Sequence, residues 1–467
     1  MSMQSTFKRI QTQQIIIGLS LLITVDLACA QTSSALHYSS PNGELALFAA
    51  PTSDSKDLEL IHLLSKLTLA QAFALASSHN RDLRLGAIAI DSAIATKTMV
   101  ATIPNPTLTL QTAGINSRLG IGAGKLQDKA VDSTLRIDQV IERGNKRELR
   151  LENANHLESA ARHDFDELNR QAELAVSFAY YDVIAAQQKV HVANEIKNLL
   201  SATQAFAEKR KQLGDIAGAD TARIRVDALR GENDVRQSIA DLLRAQTSLI
   251  AVLGLRVNPS SIFAVDEWPA ASLTSAENSL LDATQLIEKR SDVLSAKARL
   301  DAAISARKLA IALKTRDLSV GLQFEHYPIT PSNQLGSGKS VGISLQIPIF
   351  IHHEFQGEIH AAEASVDAAS ETLEKIKDAA KNDLILVLES ARASLEIVQR
   401  FQVELLSAAR HATEAAEFAY KNGAIGVMDI LDARRTYRAT EIDAINAQAD
   451  FAKALSALRI NSQRNEK

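Results

Sequence analysis

The sequence predicts a mainly α-helical fold with membrane β-structure, internally duplicated: a long helical barrel plus four strands per chain of a shared β-barrel. Three observations predict it. Two windows, Leu149 to Leu213 and Glu358 to Asn422, each run 65 residues without glycine or proline. The two halves match at an offset near 210, so that Asp82, Asp91 and Ile94 fall on Asp292, Asp301 and Ile304. Four short stretches alternate apolar and polar residues with period two. Composition agrees: 46% of the residues are hydrophobic but only 4% aromatic, which suits thin layers of closely packed helices better than one globular core. With 51 basic against 55 acidic side chains, the charge balance gives no reason to propose a nucleic-acid partner.

Taken in chain order, residues 1–30 read as a signal peptide. Lys8 and Arg9 form its basic start, "IIIGLSLLITV" (15–25) its apolar core and "ACA" (28–30) the small residues before Gln31. That core is too short to span a bilayer as a helix. Cys29 is the only cysteine, so the mature chain has no internal disulfide. Cys29 either leaves with the peptide or is the lipidated N-terminal residue; in both cases the chain leaves a bacterial cytoplasm. No later stretch reaches about 18 apolar residues. Residues 31–66 are an N-terminal extension. A first repeat, 67–253, reads as helix (68–102), strands (106–115 and 132–142), long helix, a turn near Gly214, and a return helix. A linker rich in breakers, 254–278, leads to the second repeat, 279–460, with helix (279–315), strands (317–327 and 340–350), long helix, a turn near Gly423, and a return helix. Residues 461–467 form a tail.

Each 65-residue window would make a helix about 98 Å long. Within "LILVLESARASLEIVQRFQVELL" (384–406) the apolar residues recur at three- and four-residue spacing, giving one apolar face that must lie against neighbours along its length. The strands are decisive for the compartment. In "DLSVGLQFEHY" (317–327), Leu318, Val320, Leu322 and Phe324 alternate with Ser319, Gly321, Gln323 and Glu325. "SVGISLQIPIF" (340–350) does the same, as do Leu108 and Leu110, and Leu135, Ile137 and Ile141, in the first half. Such alternation over about ten residues fits a membrane barrel strand, apolar toward lipid and polar toward a lumen. A soluble amphipathic hairpin is the alternative reading. Four strands cannot close a barrel, and bare strand edges in lipid are too costly, so the membrane reading requires several copies of the chain.

The long helices break twice in the same way, at "RKQLGDIAGADTARIRVD" (210–227) and "YKNGAIGVMDILDARRTY" (420–437). Gly214 and Gly423 supply the positive φ that a tight helix-to-helix turn needs. Gly426 follows in the second turn, its counterpart near Ala217 and Gly218. Asp429 and Asp432 stand three apart and share one helix face. Ringed around a pore they would favour cations; as acids in a helix's first turn they would gain about 0.3–1 kcal/mol from its dipole. The apolar Leu213, Ile216, Ile425, Val427 and Met428 suit either docking of a partner's helical hairpin or packing between adjacent tips.

Other motifs carry no chemistry. "GSGKS" (336–340) lacks the earlier glycine of a phosphate loop, with Asn333 at that position, and precedes a strand; "GIGAGK" (120–125) fails with Leu119 and Leu126. His352, His353 and His360 lie near the last strand without the spacing of a closed metal site. No nucleophile, base and acid stand together, so neither catalysis nor a cofactor is expected.

The layout resembles the TolC family of outer-membrane efflux channels over residues 67 to 460. "TLAQAFALASSHNRDLRL" (68–85) is similar to the family's opening helix, "ISLQIPIFIHHEFQGEI" (343–359) to a strand running into a long helix, and "YKNGAIGVMDILDA" (420–433) to its periplasmic tip. "LRIDQVIERGNKRELR" (135–150) most resembles the cobalt–zinc–cadmium, heavy-metal branch. The resemblance implies a homotrimer with a twelve-stranded barrel in outer-membrane lipid and a helical tunnel across the periplasm. A periplasmic adaptor (membrane fusion) protein and a resistance–nodulation–division pump in the inner membrane would be its partners. It would be a passive exit channel, for divalent heavy-metal cations. It implies that Asp429, Asp432 and Tyr420 form a closed gate, although Ile425 stands where some members carry an arginine. Asp220 and Arg223, the first-repeat counterparts, would tie neighbouring helices. A drug or secretion duct of the same family is one alternative; a periplasmic adaptor or helical scaffold is another.

Overall fold

The computed structural model describes residues 60–113, 131–273, 283–327 and 338–463. The predicted signal peptide, Cys29, most of the N-terminal extension and the loop at 114–124 lie outside the described residues.

The first repeat contains α1 (Leu69–His79), α2 (Arg81–Ala101), β1 (Thr107–Ala113), β2 (Asp132–Ile141), α3 (Lys146–Gln212) and α4 (Gly218–Leu253). The second contains α5 (Ala283–Glu288), α6 (Ser291–Ala312), β3 (Leu318–Tyr327), β4 (Gly338–Gln346), α7 (Gln356–Arg400), α8 (Leu406–Lys421) and α9 (Val427–Gln463). The α3 helix runs 67 residues without a break. Its counterpart does not: five residues of π-helix, Phe401–Leu405, separate α7 from α8, where one unbroken helix was expected. The π-turn lies where the linker crosses, for Gln399 donates to the carbonyl of Ala271 (3.2 Å) and Phe401, Ala271 and Leu273 all pack against the buried cluster of Val398, Phe451 and Leu455.

The expected opening helix of each repeat is also two helices. Asn80, at φ −61° and ψ 128°, leaves the helical region and caps α2 by accepting from the N–H groups of Asp82 and Leu83. Its amide donates to the carbonyl of Val252 (2.9 Å), pinning the break to the end of α4. In the second repeat Arg290 has the extended conformation at the same place. It donates to Asp292 and to Asp383 on α7.

One core ties these elements. Val176, Tyr180 and Val183 of α3 are buried against Leu249 and Leu253 of α4, Leu64, Leu67 and Ile262. The Tyr180 hydroxyl lies 2.9 Å from both Asp266 Oδ2 and the Leu67 carbonyl, and that carboxylate also accepts from Leu69 N–H (2.7 Å). Trp268 stacks on Tyr181 and donates to Gln188. The linker is therefore folded onto α3 rather than spanning a gap.

The four strands form one antiparallel sheet in the order β1-β2-β3-β4. β4 stops at Gln346 instead of reaching 350, because Pro348 has no N–H to continue a ladder; Pro104 and Pro106 precede β1 in the same way.

Candidate functional site

Two regions have the geometry of a transport path, the sheet and the helical tips. In the sheet, alternate rows across all four strands differ in character. Leu110, Leu135, Phe324 and Val341 are in register, as are Leu108, Ile137, Leu322 and Ile343. Between them run Thr109, Arg136, Gln323 and Gly342, then Thr107, Asp138, Gly321 and Ser344. One face is thus apolar and the other polar across every strand. The apolar face is bare: Leu110 is 75% exposed, Leu322 56% and Ile343 81%. The large apolar side chains so placed would cost on the order of 20 kcal/mol against water, and lipid would remove that cost. On the polar face the Arg136 guanidinium grips Asp138 (2.7–2.9 Å) and lies across Gly321. A Cβ there would stand 2.4 Å from Asp138 Oδ1 and from Ser344 Oγ, so only glycine lets the ion pair lie flat. Among the described residues both sheet edges, β1 and β4, lack a neighbouring strand. Among the described residues no helix is long and apolar enough to cross a membrane.

At the tips, Gly214 (φ +80°) and Gly423 (φ +72°) hold the left-handed residue of each turn. Leu213 is 77% exposed and Met428 is also exposed, whereas Ile430 and Leu431 are buried beneath them. Gly426 has no positive φ among the described glycines; it precedes α9, and its N–H donates to Asp429 Oδ2 (3.1 Å). Asp429 is therefore in part a helix-capping residue. Asp432 is exposed and has no ion pair among the described residues. Tyr420 is half-buried at the end of α8, and its carbonyl closes the turn by accepting from Gly423 N–H (3.1 Å).

The expected tie through Asp220 and Arg223 is not made. Among the described residues of this one chain the two pair with each other on α4, 3.3 Å apart, because i and i+3 share a face. Three arginines of α9 make the tie between repeats instead. Arg434 donates to Glu417 on α8 and to Thr203 on α3. Arg435 donates to both oxygens of Asp227 on α4 (2.7 and 2.9 Å), and Arg438 reaches Asp234 (2.5 Å). Sequence reasoning missed them. The signal was available: "RRTYR" (434–438) puts Arg435 and Arg438 three apart on one helix face, and Asp227 and Asp234 stand seven apart on the facing helix.

A polar cavity of about 320 Å³ lies above this ladder, between α3 and the α8–α9 pair, with Leu199, Arg410, Glu414, Tyr437 and Glu441 in its wall. Burial first, then a hydrogen bond to Glu441, pushes the Tyr437 hydroxyl above its ordinary pKa, and Tyr437 in turn raises that of Arg410. His353 pairs with Glu358 (2.9 Å), and among the described residues no group of three or more His, Cys, Asp or Glu side chains could hold a metal ion.

The pattern of the family described as "Outer membrane efflux protein" matches residues 283–460. The cobalt-zinc-cadmium resistance protein CzcC of Cupriavidus metallidurans is 24% identical over 79% of this chain and 84% of its own length. The outer membrane protein TolC of Vibrio cholerae is 22% identical over 61% of this chain and 66% of its own. The solved Campylobacter jejuni CmeC outer membrane channel superposes with TM-score 0.68 at 15% identity, covering 91% of this chain and 90% of that one. The second repeat carries the outer membrane efflux protein pattern, and the chain as a whole is similar in sequence and fold to TolC-family outer-membrane efflux channels. This channel therefore sits in the outer membrane and extends into the periplasm. The bare apolar sheet face is the one suited to lipid and the polar face the one suited to a lumen. It is not an enzyme.

Proposed function

We propose that this channel is the passive exit duct of a three-part efflux system that exports divalent heavy-metal cations. Three copies would each supply four strands to a twelve-stranded barrel. A periplasmic adaptor would dock at the tips, and an inner-membrane pump of the resistance–nodulation–division class would supply the energy. The match to a cobalt-zinc-cadmium resistance protein over 84% of that protein's length carries the cargo reading. In this reading the tips form the closed gate. Asp429 and Asp432 of three copies would bring six carboxylates to one opening, raising the local concentration of cations over anions. Tyr420 and the arginine ladder would hold the second hairpin, α8–α9, against the first. The exposed Leu213 and Met428 favour a partner at the same place.

The test is growth of a deletion strain in graded cobalt, zinc and cadmium salts, with and without the gene restored. Restored metal resistance is expected. Rescue of drug resistance alone, with metals unaffected, would point to a drug or secretion duct instead.

A further inference from the structure

The apolar sheet face ends abruptly on its periplasmic side, and the residues that end it are cationic. Ile141 of β2 faces Leu318 of β3 in the last pair of that ladder. Continuing the register by two residues sets Arg143 opposite Arg316. Continuing the β3–β4 register past Ser319 and Gln346 sets Ile347 beside Leu318 and Ile349 beside Arg316. Odd positions of the β4 segment stay apolar and exposed beyond the ladder, with Ile349 72% and Ile351 73% exposed. On β2 and β3 the outward pairs therefore read Leu135–Phe324, Ile137–Leu322, Gln139–Val320 and Ile141–Leu318, and then Arg143–Arg316 with Ile349 beside them.

Two like charges at facing positions repel unless something anionic lies between or upon them. The nearby carboxylates are already engaged: Asp317 with Lys146 and with the Arg143 N–H, Glu142 with Arg150, and Glu148 with Arg147. Among the described residues neither Arg143 nor Arg316 has an ion pair, and both are exposed. Arg316 is nonetheless held, with its Cζ 5.5 Å from the centroid of the Phe350 ring. Ile141 also lines a groove of about 530 Å³ with Ile103 and Arg147.

We propose that Arg143 and Arg316 form a clamp for the phosphate of an anionic phospholipid in the periplasmic leaflet, whose acyl chains lie on Ile141, Leu318, Ile347 and Ile349. Continuity with the lipid-facing rows favours a lipid over a free anion. The proposal rests on the sheet being a membrane barrel. Planar guanidinium groups suit phosphate oxygens, and such a site fixes the height of the channel in the bilayer.

The experiment uses the purified full-length channel, titrated with phosphatidylglycerol or phosphatidylcholine and read by native mass spectrometry. The channel is also reconstituted into vesicles of phosphatidylcholine with and without phosphatidylglycerol. Insertion into either vesicle tests the barrel; the difference between the two lipids tests the clamp. Wild type should retain phosphatidylglycerol preferentially. An Arg143→Gln/Arg316→Gln variant should bind it roughly thirtyfold more weakly, and Arg143→Lys/Arg316→Lys should keep most of the preference because charge remains. Equal affinity of wild type for both lipids, or a glutamine variant that matches wild type, overturns the clamp. Complete displacement of the lipid by inorganic phosphate overturns the lipid assignment. Should the glutamine variant fail to assemble, the wild-type lipid comparison and the lysine variant still decide.

Discussion

Replacing Arg435 with alanine should loosen the contact between the two hairpins of one chain. The Asp227 side chain is only 10% exposed and accepts two hydrogen bonds from Arg435, while the Arg435 side chain is 51% exposed. Breaking a fully buried ion pair costs about 3–5 kcal/mol, and an exposed pair is worth about 0–1. This pair lies between those limits. Arg230, 3.6 Å from Asp227 but 67% exposed, remains to compensate part of the lost charge. The expected loss is about 2 kcal/mol per chain, or roughly thirtyfold in the ratio of docked to undocked hairpin. Single-channel recording in planar bilayers reads it as longer and more frequent open dwells. Arg435→Lys should lie between wild type and alanine. Arg435→Ala combined with Asp227→Asn should be no worse than Arg435→Ala alone, since no buried charge is then orphaned. If Arg435→Ala lowers thermal stability but leaves open dwell times as they were, the ladder is scaffolding and not a latch.

Four further outcomes are expected. Asp429→Ala with Asp432→Ala should raise conductance and reduce cation preference; reversal potentials in a salt gradient read the second effect, and no change would remove both acids from the gate. Asp429→Asn should keep the bond from Gly426 N–H and so cost less stability than Asp429→Ala, which loses about 0.5–1 kcal/mol of capping in a denaturant melt. Lys146→Met should destabilise the strand-to-helix junction by about 2–3 kcal/mol, because Lys146 is 7% exposed and donates to Asp317 and to the Thr315 carbonyl; heat-resistance of the oligomer on gels reads this. Bonds first from Arg162 and then from Lys97 hold the Glu158 carboxyl below its ordinary value of 4.5. The stability of this α2–α3 link is thus present above that value and lost as pH falls through the lower folded one, so acid melts of Glu158→Gln should show a smaller drop than wild type below pH 4.5.

The strands were legible because lipid on one side and a lumen on the other impose a strict period of two, and the β2 and β3 bounds differ from the expected ones by a residue each. The ends of β1 and β4 were harder to place. Alternation in "IPIFI" continues past the ladder, and the proline that stops the hydrogen bonds does not interrupt the apolar series. The π-turn at 401–405 was not legible either. Nothing in "FQVEL" departs from helical spacing; the linker crossing at Ala271 and Leu273 is a long-range contact, invisible in a local window. At the tips the turn glycines could be read from backbone requirements alone. The partner of Arg223 could not, because an i,i+3 pair and an interhelical pair are equally open to such a side chain. The ladder is hard to read for a related reason: the breaking glycines mark the acids near the turn, while the tie uses arginines up to two turns deeper.

One substitution separates the two tips more than any other. At an offset of 209, Asp220 corresponds to Asp429 and Arg223 to Asp432. In the first repeat the pair closes on itself at 3.3 Å and presents no net charge. In the second repeat, Asp429 turns back to cap its own helix while Asp432 stays exposed. A duplicated turn has thus diverged into one tip whose acid is paired by an arginine and one whose two matching positions are both acids. Only the acidic tip belongs to the hairpin that is interrupted by the π-turn and that reaches the first repeat near its end through arginine contacts. If the acidic hairpin is the moving part of the gate, transferring the charge should transfer the behaviour. Arg223→Asp should leave the first tip rigid but add cation preference, whereas Asp432→Arg should abolish that preference and close its own pair with Asp429. Reversal potentials that stay fixed in both variants would mean that selectivity is set elsewhere along the path.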